Sequence, residues 1–260
     1  MPTTTAYRPR SATEIVDAAI QIVRRNFVPM ITVVAVAYVP FLVLQMTVFR
    51  GLLIVAMTGR LVDLSTGMTL AYYTVSLIWF ALIDAAMTVA ASDAYLGRPV
   101  DVLAAFRRAG PRLGATMIGI GLKYLLILIG LLAFFVGSLY PLALTFATTA
   151  TIVLEGMGPI AGVRRSGALS RNLKGHILVA LIMVYGLYFG VIGGAGVAFT
   201  LLGNQTAIQL FSAVATILIY PFVPTVQMLL YYDARIRKEG FDIELLAQRV
   251  GPVAVPQPAY

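Results

Sequence analysis

The sequence predicts an all-α, polytopic membrane bundle of about six transmembrane helices, with amphipathic helices at the cytoplasmic interface and three repeated hairpin units. Three observations lead there. Of the 260 residues, 60% are hydrophobic and only 12% charged, and the mean hydropathy of +0.90 is far above that of a soluble domain. Apolar runs long enough to cross a bilayer core of about 30 Å follow one another along the chain. The basic residues crowd into alternate connections between those runs, as the positive-inside rule requires of a multi-span protein.

Residues 1–26 read as a cytoplasmic amphipathic arm. Ser11 and Glu14 have capping-box spacing. Behind them Val16, Ile20, Val23 and Phe27 recur at helical intervals, while Glu14, Asp17, Gln21 and Arg24 share another face. This suits a helix lying on a membrane surface. The first residues carry no short apolar core before a small-residue cleavage site, so a secretory signal is not expected.

The membrane domain covers 27–232, with spans at about 27–49, 68–94, 115–136, 139–155, 177–202 and 206–232. Between the first two, the connection to Gly67 holds Arg50, Arg60 and Asp63. A second amphipathic stretch, Gly97–Gly114, puts Val102, Phe106, Ala109 and Leu113 on one side and Asp101, Arg108 and Arg112 on the other. Pro111 ends it. From Ala115 to Glu155 the chain is apolar for too long to be one crossing, and Gly137-Ser138 followed by Pro141 marks the reversal. Gly203-Asn204-Gln205 turns the fifth span into the sixth. Residues 233–260 form a cytoplasmic tail, with a short amphipathic helix near Phe241–Val250 and a disordered proline-rich end.

Lys and Arg number 19 against 11 Asp and Glu, a net charge of +8. The arm, the 97–114 segment, the 156–176 segment and the tail hold four basic residues each; the opposite connections hold only Arg50 and Arg60. This places both termini in the cytoplasm and requires an even number of crossings between 115 and 155. The excess charge is thereby an orientation signal, and no nucleic-acid partner is called for. Arg24, Arg25, Arg107, Arg108, Arg112, Arg164, Arg165, Arg171 and Lys174 are candidates to hold anionic lipid headgroups, at roughly 1 kcal/mol per cation near the surface.

Spans two, four and six end in an acid: Asp93, Glu155 and Asp233. Each pairs with a nearby arginine and fixes a surface helix, or the three converge as an ion or proton site. Asp84 lies nine residues inside Asp93, and Lys123 nine beyond Gly114, so both sit about 13 Å deep at 1.5 Å per residue. Charges at that depth are costly. They are expected to form an intramembrane ion pair, either structural or part of a gate or proton relay; a hydrated cavity that reaches Asp84 and opens to either side of the membrane favours transport, and a closed, dry bundle favours a scaffold. Gly186, Gly190 and Gly194 make a small-residue stripe for close helix packing or for a dimer face. Pro40, Pro221 and Pro224 are candidate helix breaks of the kind that line transport sites.

With no cysteine, one histidine (His176) and one tryptophan (Trp79), neither disulfides, thiolate metal sites nor a nucleophile–base pair can be assembled. No metal, cofactor or catalytic residue is expected. The partners expected are membrane lipids and a membrane protein or second copy of the chain.

Three segments carry a family resemblance: the arm RPRSATEIVDAAIQIVRRNF, the loop EGMGPIAGVRRSGALSRNLKGH and the tail YYDARIRKEGFDIELL. The chain resembles, over nearly its whole length, a family of bacterial six-span inner-membrane proteins labelled the membrane domain of glycerophosphoryl diester phosphodiesterase, which includes relatives of unknown function. The resemblance implies an inner-membrane location and the six-span fold. The hydrolase activity of fused members belongs to a separate soluble barrel, and nothing in this sequence matches that domain.

Overall fold

A computed structural model describes residues 8–49, 66–132, 134–200 and 205–243. The outer connection with Arg50, Arg60 and Asp63, the Gly203-Asn204 turn and the tail beyond 243 lie outside the described residues. All regular structure among those described is helical. The helices are α1 (Ala12–Arg25), α2 (Phe27–Thr47), α3 (Thr66–Tyr95), α4 (Val102–Ala109), α5 (Leu113–Leu132), α6 (Phe134–Gly137), α7 (Leu139–Leu144), α8 (Thr148–Leu154), α9 (Pro159–Ser170), α10 (Lys174–Thr200), α11 (Gln205–Ile219) and α12 (Phe222–Glu239).

Among the described residues five stretches are long and apolar enough to cross a membrane: Phe27–Thr47, Thr66–Tyr95, Val102–Leu132, Lys174–Gly194 and Gln209–Glu239. The protein is an integral membrane helical bundle. The expected fourth span is two short helices, α7 and α8, separated at Thr145–Ala147. Local bonds favour this break. The Thr145 hydroxyl donates to the Pro141 carbonyl and the Thr148 hydroxyl to the Thr145 carbonyl, while Ser166 of α9 donates to the Leu144 carbonyl and accepts from the Ala147 amide. Side chains thus take up backbone groups that an unbroken helix would pair internally.

Residues 113–155 nevertheless leave and return to the same end. A Cβ at Gly130 would meet the Gly137 carbonyl at 2.6 Å, where the chain doubles back. A Cβ at Gly156, which has φ +72°, would meet the Arg112 guanidinium at 2.8 Å. The segment's two ends are therefore neighbours.

At the N-terminus both halves of the Ser11–Glu14 capping box are formed. The Ser11 amide, foremost, and the Arg8 guanidinium hold the Glu14 pKa below its ordinary value. The buried face of α1 is Ile15, Ala19 and Val23. Ile20 and Phe27, expected on the apolar face, are exposed instead, because the stripe at i, i+4 and i+8 faces α12, α10 and α3. In α4 the fully buried positions are Ala105 and Ala109, with Val102 and Phe106 packed at the edge of the core.

The core is asymmetric along the bundle. In α3 nearly every residue from Ala81 to Tyr95 is buried, and in α12 every residue from Val223 to Ala234. By contrast α2, the far part of α5 and α10 present Val36, Val43, Leu128, Leu132, Leu187 and Phe189 outward, the surface a bilayer's hydrocarbon would cover. Helices α1, α4, α8 and α9 form a collar around the buried end.

Candidate functional site

Asp93 near the end of α3, Glu155 at the C-cap of α8 and Asp233 within α12, which runs on past it to Glu239, organise that collar, each with a different set of donors. Asp93 accepts from Arg98 Nε at 2.8 Å and from Arg108 Nη1 at 2.7 Å, which ties α4 to α3. Glu155 accepts from Arg165 Nε at 3.0 Å and from the Tyr231 hydroxyl at 2.8 Å, joining α9 and α12. Arg165 also pairs with Glu239 at 2.6 Å, and this bond, foremost, raises its pKa further above the ordinary guanidinium value. Asp233 accepts from Arg237 Nε at 2.7 Å and from the Arg10 amide at 2.8 Å. His176 Nε2 lies 3.3 Å from the same carboxylate, without hydrogen-bond alignment.

These contacts bring the four basic segments to one end of the bundle: the arm and the foot of α10 meet α12 at Asp233, and Lys238 Nζ donates to the Ala168 carbonyl of α9. The three carboxylates are engaged separately. Among the described residues no group of three or more acidic or histidine side chains has the arrangement to hold a metal ion.

Of the basic residues singled out, Arg108 and Arg165 are turned inward onto acids. Arg24, Arg25, Arg107, Arg164 and Arg171 are exposed and make no ion pair with a described acid. Arg112 is exposed beside Gly156. Lys174 Nζ sits 4.3 Å above the Tyr140 ring. Together Arg164, Arg171, Lys174 and Tyr140 line a surface cavity of about 340 Å³, completed by Leu144 and Val163.

The second feature is an internal cavity of about 230 Å³ whose walls come from four of the five spans. Asp84 and Lys123 both line it. They do not make the direct ion pair expected of them. Asp84 instead accepts from the Thr149 hydroxyl at 2.6 Å and from the Tyr220 hydroxyl at 3.4 Å. The two donors come from α8 and from the junction of α11 and α12. Lys123 is 7% exposed and has no hydrogen-bond or ion-pair partner among the described residues. Across the cavity Gln227 Nε2 donates to the Tyr185 hydroxyl at 2.8 Å. Rings close the remaining walls: Tyr188 and Tyr220 have centroids 6.2 Å apart, and Phe80 and Tyr124 6.1 Å apart. Phe80 and Tyr124 also line a neighbouring, mainly apolar cavity of about 360 Å³ beside Trp79. Tyr124 and Phe189, at the rim, are exposed on the side of the bundle.

Among the described residues the glycine stripe has no close neighbour. A Cβ at Gly186, Gly190 or Gly194 would meet nothing within 4 Å. Close approach occurs at Gly119 and Gly162, where a Cβ would lie 2.5 and 2.6 Å from the Ile152 side chain. Pro40 lies within α2 without ending it. The Trp79 indole donates to the Ala37 carbonyl, next to the Val36 carbonyl that Pro40 leaves without its helical donor. Pro221 separates α11 from α12.

Thr149, Tyr220, Tyr185 and Gln227 were not singled out by sequence. Their signal was weak but legible: polar groups on apolar spans at the same depth as Asp84 and Lys123. No protein-family profile matches this chain, and no curated protein or solved structure is significantly similar to it.

Proposed function

We propose that this chain is a non-enzymatic protein of the bacterial cytoplasmic membrane, with both termini in the cytoplasm, acting as a lipid-interacting scaffold or accessory membrane domain. One observation carries the reading. The collar spends its inner cations on Asp93, Glu155 and Asp233 and leaves Arg24, Arg25, Arg107, Arg164, Arg171 and Lys174 at the bundle's basic end without an acid partner among the described residues. A row of such cations at the border of an apolar surface attracts anionic headgroups. The cavity under Arg164, Arg171 and Lys174, floored by Tyr140 and Leu144, offers a headgroup both charge and an apolar rest. The resemblance of the arm, loop and tail to six-span inner-membrane proteins supports the same location, without their hydrolase. The test is lipid retention by native mass spectrometry from vesicles containing phosphatidylglycerol and phosphatidylethanolamine. Arg164→Gln/Arg171→Gln/Lys174→Gln should weaken retention of the anionic lipid by about fivefold per charge removed, from roughly 1 kcal/mol each. Unchanged selectivity contradicts the reading.

The cavity at Asp84 favours a second reading, passage of a small solute. Charged groups inside a bilayer are functional candidates by default, substrate pathways among their roles, and Asp84 and Lys123 both line this cavity. Solute flux into proteoliposomes, lost in Asp84→Asn, is the corresponding assay.

A further inference from the structure

We propose that the internal cavity is a binding site for a small zwitterion, its anionic end on Lys123 and its cationic end toward Asp84 and the tyrosine rings. This rests on the solute-passage reading and names the class of solute.

The argument begins with Lys123. Its ammonium carries three donors, it is 93% removed from solvent, and no described residue supplies an acceptor. A buried charge in that condition needs a partner. Asp84 shares the cavity but is held by Thr149 and Tyr220. A pair that served only to neutralise itself would close to contact; here no direct ion pair forms, Asp84 is bonded by two hydroxyls, and both groups line one cavity. That space is about 230 Å³, room for about seven waters at roughly 30 Å³ each, and below the range of roughly 300–1,000 Å³ usual for drug-sized ligands. The occupant is therefore small.

Its charge follows from the walls. With both groups ionised, Lys123 and Asp84 together are neutral. A lone anion would leave a net negative charge in a low-dielectric site and a lone cation a net positive one, both unfavourable. A zwitterion satisfies both groups and keeps the sum at zero. The tyrosines complete the match. The Tyr185 hydroxyl accepts from Gln227, which leaves its own proton free to donate to a carboxylate. The rings of Tyr188 and Tyr220 line the cavity, and aromatic rings attract a cation.

The test uses the full chain in nanodiscs with glycine betaine as probe, and with acetate and tetramethylammonium as its two halves. Calorimetry and thermal stability should show betaine binding, with at least tenfold weaker response to either half alone. Lys123→Met should abolish binding and Asp84→Asn should weaken it. Tyr185→Phe keeps the ring and the fold and should lower affinity several-fold, so the site remains testable if a charge variant fails to fold. Absence of betaine binding to the wild-type chain overturns the proposal, as does acetate binding as tightly as betaine, or binding indifferent to Tyr185→Phe and Lys123→Met. Betaine binding without flux sinks the passage reading and leaves the site; flux of another solute without betaine binding does the reverse.

Discussion

Asp93 offers the sharpest prediction about what holds the collar to the spans. Its side chain is 9% exposed and meets Arg98 and Arg108, which are 52% and 47% exposed. A hydrogen bond to a charged group contributes about 1.5–3 kcal/mol; solvent screening of the half-exposed arginines cuts the two bonds to a combined contribution of about 2 kcal/mol. Asp93→Asn should therefore cost about 2 kcal/mol of unfolding free energy in detergent, since both guanidinium groups can turn to water. Arg98→Gln/Arg108→Gln should cost more, about 3–5 kcal/mol, because it leaves a buried carboxylate without a cation. Adding Asp93→Asn to that double variant should then recover at least about 1 kcal/mol. Chemical unfolding monitored by circular dichroism measures all three. The reasoning fails if the triple variant is no more stable than the double, or if Asp93→Asn is silent.

Two further outcomes follow from local geometry. Gly130→Ala should destabilise by about 1–3 kcal/mol, since the new methyl meets the Gly137 carbonyl and the Ser138 Cα, neither of which can move aside; Gly186→Ala, with nothing within 4 Å, should be neutral or slightly stabilising, and thermal unfolding of the pair checks the contrast. Glu14 should titrate below its ordinary value of 4.5, so its contribution to the cap of α1 is fully present above that pH and lost as the pH falls through the lowered value; carboxylate chemical shifts and amide exchange at Ser11 measure both.

Features set by local chemistry or by whole-chain charge were legible in the sequence. The Ser11–Glu14 cap needs only residues three apart, and the spacing of basic connections along the chain marks which segments gather at one end of the bundle. The acids at the span ends were also visible, since Asp93, Glu155 and Asp233 each interrupt an apolar run. What was not legible depends on which faces meet. Spacing at Gly186, Gly190 and Gly194 looks the same whether the stripe packs or faces outward, whereas Gly119 and Gly162 acquire their importance only because Ile152 lies against both. Val16 and Ile20 fit a helical period as well as Ile15 and Ala19 do, and the neighbours of α1 decide between them. The break at Thr145–Ala147 arises from Ser166, nineteen residues further along. Counting residues puts Asp84 and Lys123 at one depth and shows Thr149 and Tyr220 as polar groups on apolar stretches, but only the packing of the helices brings those two hydroxyls onto the Asp84 carboxylate.

The central claim is that all four basic segments face the cytoplasm. The chain has no cysteine, so single substitutions Arg24→Cys, Arg107→Cys and Arg164→Cys report their own side of the membrane without background. With a membrane-impermeant maleimide, all three should stay unlabelled in intact spheroplasts and label fully after lysis. Labelling of either Arg107→Cys or Arg164→Cys from outside, with the other protected, would contradict the architecture and the depth assigned to Asp84 and Lys123.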